Sequence, residues 1–167
     1  MNYYHPKTPP KKWYIGQWPA LAWIETVIKL VALGLALFTA ITTLTHANFG
    51  PPIGKAWIQL VILGLLSIGL LIAIYDRILE REIIAMSFVL LNNLGHWGML
   101  LALFGDRRPS QALLLFCMLM LAGDLVKLIF LRVHKFGVRD TPRAVLYGLT
   151  SIYAAGYLII ALLELLN

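Results

Sequence analysis

The sequence predicts an all-α, polytopic integral membrane protein, a helical bundle with about five transmembrane helices. Its apolar residues form five long runs, and a helix needs about 20 such residues to cross a hydrocarbon core of about 30 Å. Of the 167 residues, 60% are hydrophobic and only 13% are charged, so a soluble fold would expose apolar patches large enough to aggregate. Because lipid tails offer no hydrogen bonds to the backbone, runs of this length must be helices.

The five predicted helices fill nearly the whole chain. They cover, approximately, residues 19–46, 56–75, 83–104, 111–131 and 144–166. Residues 1–18 form a basic and aromatic tail that we expect to lie in the cytoplasm, and residues 19–167 form a single transmembrane domain. The sequence contains no internal repeat and no sign of a second domain.

The first two helices have distinct boundaries. The first run is too long for the apolar part of a signal peptide and is interrupted by Glu25 and Lys29, so we interpret it as a retained signal anchor. Pro51 and Pro52 then break the chain before the second run. The charged stretch Asp76–Glu82 follows the second run and contains neither Pro nor Gly, which predicts a tight, partly helical turn into the third helix.

Prolines also mark the last two helices. Pro109 lies near the first turn of the fourth helix, where its missing N–H is tolerated. Asp140 and Thr141 precede Pro142, and either side chain is a suitable N-cap for the fifth helix. The sequence therefore predicts five separate spans joined by short loops.

The distribution of positive charge predicts the orientation. Nine Lys and Arg residues lie in the tail and in the loops that follow the second and fourth helices, against three on the other side. This places the N-terminus in the cytoplasm and the C-terminus outside, and we expect a bacterial-type inner (plasma) membrane. The same placement explains the net charge of +6, so we expect no nucleic-acid partner, since no extramembrane patch is large enough to follow a phosphate backbone.

Four aromatic residues cluster where the tail meets the first helix: Trp13, Tyr14, Trp18 and Trp23. Their amphipathic rings are typical of an aromatic belt at headgroup level, and we interpret them as interfacial anchors. The alternative is that this stretch docks onto a neighbouring protein.

Charged residues inside the predicted spans form a candidate cluster. Glu25 and Lys29 lie one turn apart on the first helix, and Asp124 and Lys127 lie three residues apart on the fourth. Because the two helices run in opposite directions, all four residues fall toward the cytoplasmic side. They predict either interhelical pairing, Glu25 with Lys127 and Lys29 with Asp124, or an ion or proton path.

The third helix carries a polar face of Asn92, Asn93 and His96. Counted from Glu82, the two asparagines lie about 15 Å into the bilayer, and Asn92 and His96 share one side of the helix. Such a face can bind a quinone, a lipid or haem, but it can also hydrogen-bond to another helix, as polar residues in membrane bundles usually do.

Motifs for known chemistries are missing from the sequence. It contains no HExxH, no GxSxG, no P-loop and no dinucleotide fingerprint, so no catalytic residue is predicted. The single cysteine, Cys117, allows no intrachain disulfide and suggests no metal site. No cofactor is implied by a motif, and haem or quinone enters only through the polar face of the third helix.

Three functions remain open from the sequence. The first is a non-catalytic accessory subunit or assembly factor that packs against larger membrane proteins, which the short loops and the missing motifs favour. The second is a small oligomeric transporter or channel that uses the charged cluster. The third is a quinone-, lipid- or haem-binding protein or enzyme centred on the Asn/His face. The expected partners are the bilayer and either other membrane subunits or further copies of the chain.

Overall fold

Five long helices make up most of the part of the chain that the structure describes. The computed structural model describes residues 11–46, 48–105, 110–134, 136 and 141–166. The helices are α1 (Ala20–His46), α2 (Ala56–Glu80), α3 (Ile83–Ala102), α4 (Ser110–Val133) and α5 (Arg143–Leu165). Each is long and apolar enough to cross a membrane. The prediction of an all-helical, multi-pass integral membrane protein is therefore confirmed.

The helix bounds lie close to those expected, apart from the end of α2. The sequence pattern ended this helix near residue 75, whereas the structure continues it to Glu80. With no Pro or Gly in the charged stretch, nothing stops the helix before Arg81, which adopts a left-handed conformation with φ of 56°. The N–H of Arg81 bonds to the carbonyls of Arg77 and Ile78, and α3 starts two residues later. The expected tight, partly helical turn is thus a helix extension closed by one left-handed residue.

Neighbouring helices form a closed ring in the order α1, α4, α5, α2, α3. The α1–α4 and α4–α5 interfaces are the most extensive, and the α2–α5 interface is the least extensive. We call the end of the bundle at which α1, α3 and α5 begin the proximal end, and the other the distal end. Residues 11–19, which precede α1, lie at the proximal end.

The middle of the ring is filled by side chains from opposite helices. Phe116 of α4, Tyr157 of α5 and His96 of α3 are buried together, and their rings lie 5.7–6.4 Å apart. Close approach of α1 and α3 depends on Gly98, where an added Cβ would lie 2.9 Å from the carbonyl oxygen of Ala36. Small residues that allow backbones to approach are typical of packing in membranes.

Hydrogen bonds join α2 and α5 toward the distal end of their interface. Gln59 Nε2 donates to Glu164 Oε2 over 2.5 Å, and Lys55 Nζ donates to the carbonyl of Leu166 over 2.9 Å. Further along, the hydroxyl of Tyr153 donates to the carbonyl of Leu66 over 3.1 Å. On the proximal side of Tyr153, residues of both helices line a cavity instead.

The segment before α1 lies across the α2–α3 turn. The N–H of Tyr14 donates to the carbonyl of Arg81, and the N–H of Ile83 donates to the carbonyl of Tyr14, both over 3.0 Å. This segment approaches Glu82 closely at Gly16, where an added Cβ would lie 1.7 Å from the carboxyl group and would displace the Glu82 side chain. We call residues 11–19 the strap. The first ten residues of the predicted tail lie outside the described residues.

Candidate ligand cavity and charged cluster

Three of the four predicted intramembrane charges form one buried ion bridge between α1 and α4. Lys29 Nζ lies 3.0 Å from Glu25 Oε1 and 2.7 Å from Asp124 Oδ1. All three residues are buried, with 3–6% of their surface exposed. The stem of Lys29 runs over Gly123, where an added Cβ would lie 2.9 Å from Lys29 Cε. A lysine shared by two carboxylates holds α1 against α4.

Lys127, the fourth member of the predicted cluster, is arranged differently. It is only half-buried, and within the described part of the chain its ammonium group has no hydrogen-bond or ion-pair partner. It lies within electrostatic range of Glu25, Lys29, Asp124 and Arg77. The pairing of Glu25 with Lys127 that the sequence suggested is replaced by pairing of Glu25 with Lys29. Lys127 therefore faces the cavity as an unpaired cation.

The cavity lies in the proximal half of the ring and has a volume of about 480 Å³. All five helices and the strap contribute to its wall. Most of the wall is apolar, with Leu70, Phe88, Phe130, Leu146 and Leu149 among its members. A cavity with an apolar wall and a few polar groups is the usual form of a small-molecule site.

Charged and polar side chains interrupt this apolar wall. The charged residues are Glu25, Arg77, Glu82 and Lys127, and the hydroxyl-bearing ones are Tyr14, Thr150 and Tyr153. The two carboxylates are bound by donors of the chain itself, Glu25 by Lys29 at 3.0 Å and Glu82 by the indole N–H of Trp18 at 2.6 Å. The cations are the more accessible charges.

His96 and Tyr157 lie one turn distal to the deepest cavity residues. His96 Nδ1 lies 2.7 Å from the backbone carbonyl of Asn92, which requires a proton on Nδ1. Nε2 is then the acceptor, and the Tyr157 hydroxyl donates to it over 2.7 Å. Both ring nitrogens of this fully buried histidine are occupied, so His96 joins α3 to α5 at a level distal to the cavity.

The structure separates the predicted polar face of α3 into different environments. Asn92 lines the cavity, whereas Asn93 is almost fully buried and donates to the carbonyl of Val89 over 3.1 Å. His96 is not part of the cavity wall. Of the three candidates, only Asn92 is placed to contact a molecule in the cavity.

The four predicted interfacial anchors also differ in position. Trp13 and Trp23 are about half exposed, whereas Trp18 bonds to Glu82 and packs edge-on against Phe88. Burial raises the pKa of the Tyr14 hydroxyl above its ordinary value of 10.0, and the Glu82 and Glu80 carboxylates raise it further. Tyr14 and Trp18 thus belong to the strap and line the cavity. Trp13 and Trp23 are exposed on the surface of the bundle, as the prediction of interfacial anchors requires.

Sequence reasoning missed three residues of this region. Glu82 and Arg77 were interpreted as loop charges, although both line the cavity. Tyr157, the partner of His96, belongs to none of the candidate sites that the sequence predicts. The only available signal for Glu82 was its position at the start of an apolar span.

Comparison with protein-family models, with curated proteins and with solved structures finds no match to this chain. Its function must therefore be inferred from the geometry of the cavity and of the ion bridge.

Proposed function

We propose that this chain is a non-catalytic membrane protein that binds a small amphiphilic molecule, of the lipid or quinone type, inside its helix ring. The observation that carries this proposal is the cavity of about 480 Å³ whose wall is built by all five helices and the strap. Sites for small molecules typically measure about 300–1,000 Å³ and combine apolar walls with a few polar groups. This is the third of the functions that the sequence leaves open, with its centre moved from the Asn/His face of α3 to the proximal cavity, which Asn92 lines.

The orientation of the chain is part of the proposal. The excess of Lys and Arg in the tail and the proximal loops favours a cytoplasmic proximal end in a bacterial-type plasma membrane. The cavity then lies in the cytoplasmic half of the bilayer, at a depth where both hydrocarbon and headgroups are available to a ligand.

The other two functions from the sequence have less geometric support. A transporter using the charged cluster would need those charges to be available, but Lys29 is held between two carboxylates. The accessory-subunit function predicted from the sequence stays a prediction. The outer faces of the described helices are largely apolar, as contact with either lipid or a partner helix requires.

Filling the cavity tests the proposal directly. The protein is purified into nanodiscs of phosphatidylcholine and titrated with hexadecanol, an uncharged amphiphile, and binding is read by native mass spectrometry. Ala73 of α2 lines the cavity and is half-buried, so Ala73→Phe adds volume inside it. We expect at least a tenfold loss of hexadecanol binding.

A matched control variant distinguishes filling of the cavity from a general loss of folding caused by an added phenylalanine. Ala155 of α5 is exposed on the outer surface, so Ala155→Phe should leave binding unchanged. If Ala73→Phe does not fold, Leu149→Trp fills the cavity from α5 instead. Absence of hexadecanol binding to the wild type, or equal binding to the wild type and both cavity variants, contradicts the proposal. Stoichiometric co-purification with larger membrane proteins, together with no binding, would favour an accessory subunit.

A further inference from the structure

The charges on the cavity wall select the head group of the ligand. We propose that the bound amphiphile carries one acidic group, a carboxylate or a phosphate monoester, and that Lys127 binds this group with Arg77 as a second cation. This inference rests on the proposed function, because it assumes that the cavity holds an amphiphile.

The four charges on the wall are not equally available to a ligand. Glu25 and Glu82 are only 5% and 1% exposed, and each already accepts a hydrogen bond of 3.0 Å or less from Lys29 or Trp18. Arg77 and Lys127 are half-buried, and both line the cavity. A molecule in the cavity therefore meets two cations that keep exposed surface, whereas the two carboxylates on the wall are buried and each has one oxygen bound by the chain itself.

Lys127 is the stronger of the two candidates for contact with an acidic group. An ammonium group within a membrane span is costly unless it is paired or reaches water. Lys127 lies six residues before the end of α4 at Val133. Of its neighbouring carboxylates, Glu25 and Asp124 each have one oxygen bound by Lys29, and neither forms an ion pair with Lys127. A ligand anion would supply the partner that the described part of the chain does not.

Arg77 can take part without giving up its own partner. Its Nη1 donates to Glu80 Oε2 over 2.6 Å, which leaves further guanidinium N–H donors. Guanidinium groups bind carboxylate and phosphate oxygens in a fixed geometry. The apolar wall, which includes Phe88, Phe130 and Leu149, accommodates the hydrocarbon part of the same molecule.

Three amphiphiles with the same number of carbon atoms and different head groups test this inference. Palmitate, hexadecyl phosphate and hexadecanol are titrated against the protein in phosphatidylcholine nanodiscs, with native mass spectrometry as the readout. We expect the wild type to bind the two acidic molecules at least tenfold more tightly than hexadecanol. Lys127→Met should remove this preference while hexadecanol binding is retained, and Lys127→Arg should keep it.

The controls separate a specific contact from general attraction to positive charge. Lys55→Met removes a cation at the distal end, where Lys55 bonds to Leu166, and it should leave all three affinities unchanged. Inorganic phosphate alone should not compete. Competition by phosphate at an equal concentration would indicate a water-soluble anion and overturn the assignment of an amphiphile.

The two proposals fail in different ways. If hexadecanol, palmitate and hexadecyl phosphate all fail to bind, the proposed function is wrong. If all three bind with equal affinity, or if Lys127→Met keeps the acidic preference, the cavity still binds an amphiphile but the role of Lys127 is wrong.

Discussion

The α1–α4 and α2–α5 interfaces are the two extremes of the helix ring. The first is extensive and is crossed by the ion bridge, in which Lys29 joins Glu25 to Asp124. The second is the least extensive, and its hydrogen bonds lie distal to the cavity or at its edge. The cavity thus lies beside the least extensive interface of the ring, and the ion-bridged α1–α4 pair forms another part of its wall. We infer from this difference that the α1–α4 pair is the more stable part of the bundle and that the α2–α5 pair is the part that leaves room for the cavity.

Breaking the ion bridge is expected to give the largest difference in stability between variants of the two interfaces. We expect Lys29→Met to lower the free energy of unfolding by about 3–5 kcal/mol, because two buried carboxylates lose the ammonium group between them. Lys127→Met should cost clearly less, since Lys127 has no ion-pair partner among the described residues. Titration with sodium dodecyl sulfate in mixed micelles, followed by circular dichroism, measures both.

A compensating variant shows whether charge is the cause. Replacing the whole set, with Glu25→Gln and Asp124→Asn added to Lys29→Met, removes the unpaired charges and should recover much of the lost stability. Equal stability of Lys29→Met and the wild type would show that the bridge does not hold α1 to α4.

Two glycines compare packing at the two interfaces. An added Cβ at Gly123 meets the stem of Lys29 at 2.9–3.4 Å, and that stem is fixed at its tip by two carboxylates. We expect Gly123→Ala to cost about 1–3 kcal/mol, as overpacking usually does. Thermal unfolding in detergent is a sufficient measurement.

Gly156 is the matched position on α5. Its added Cβ meets methyl groups of Leu66 and Ile62 at 3.2 Å or more, and these can move toward the looser interface. Gly156→Ala should therefore cost less than about 1 kcal/mol. A larger loss at Gly156 than at Gly123 would reverse the proposed order of rigidity.

The smallest expected effect concerns Tyr153, which bonds to Leu66 at the edge of the cavity. Tyr153→Phe removes one interhelical hydrogen bond, which is worth about 0.6 kcal/mol on average in a membrane protein. The same titration with sodium dodecyl sulfate applies. A loss as large as that of Lys29→Met would show that the α2–α5 interface is not the weak one.

Much of the fold could be predicted because hydrophobic length is a local property. Each helix corresponds to one continuous apolar run in the sequence. Only the predicted end of α2 is wrong, because the charged residues before Arg81 are compatible with a helix and include no Pro or Gly to end it. The site was harder to predict. That Lys29 rather than Lys127 pairs with Glu25 depends on how α1 is rotated against α4, and no local pattern encodes that rotation.

The sequence by itself determined that this chain is a multi-pass helical membrane protein, because the bilayer requires long apolar helices whatever their neighbours are. It also identified the charged residues as exceptional, because ionisable groups in a span are costly. Only the tertiary structure decided which charges are paired, that His96 is enclosed by Tyr157, and that Lys127 faces a cavity. Those outcomes depend on the order and rotation of five helices, which are set by contacts between residues far apart in the chain, such as Lys29 with Asp124, 95 positions apart, and Lys55 with Leu166, 111 positions apart.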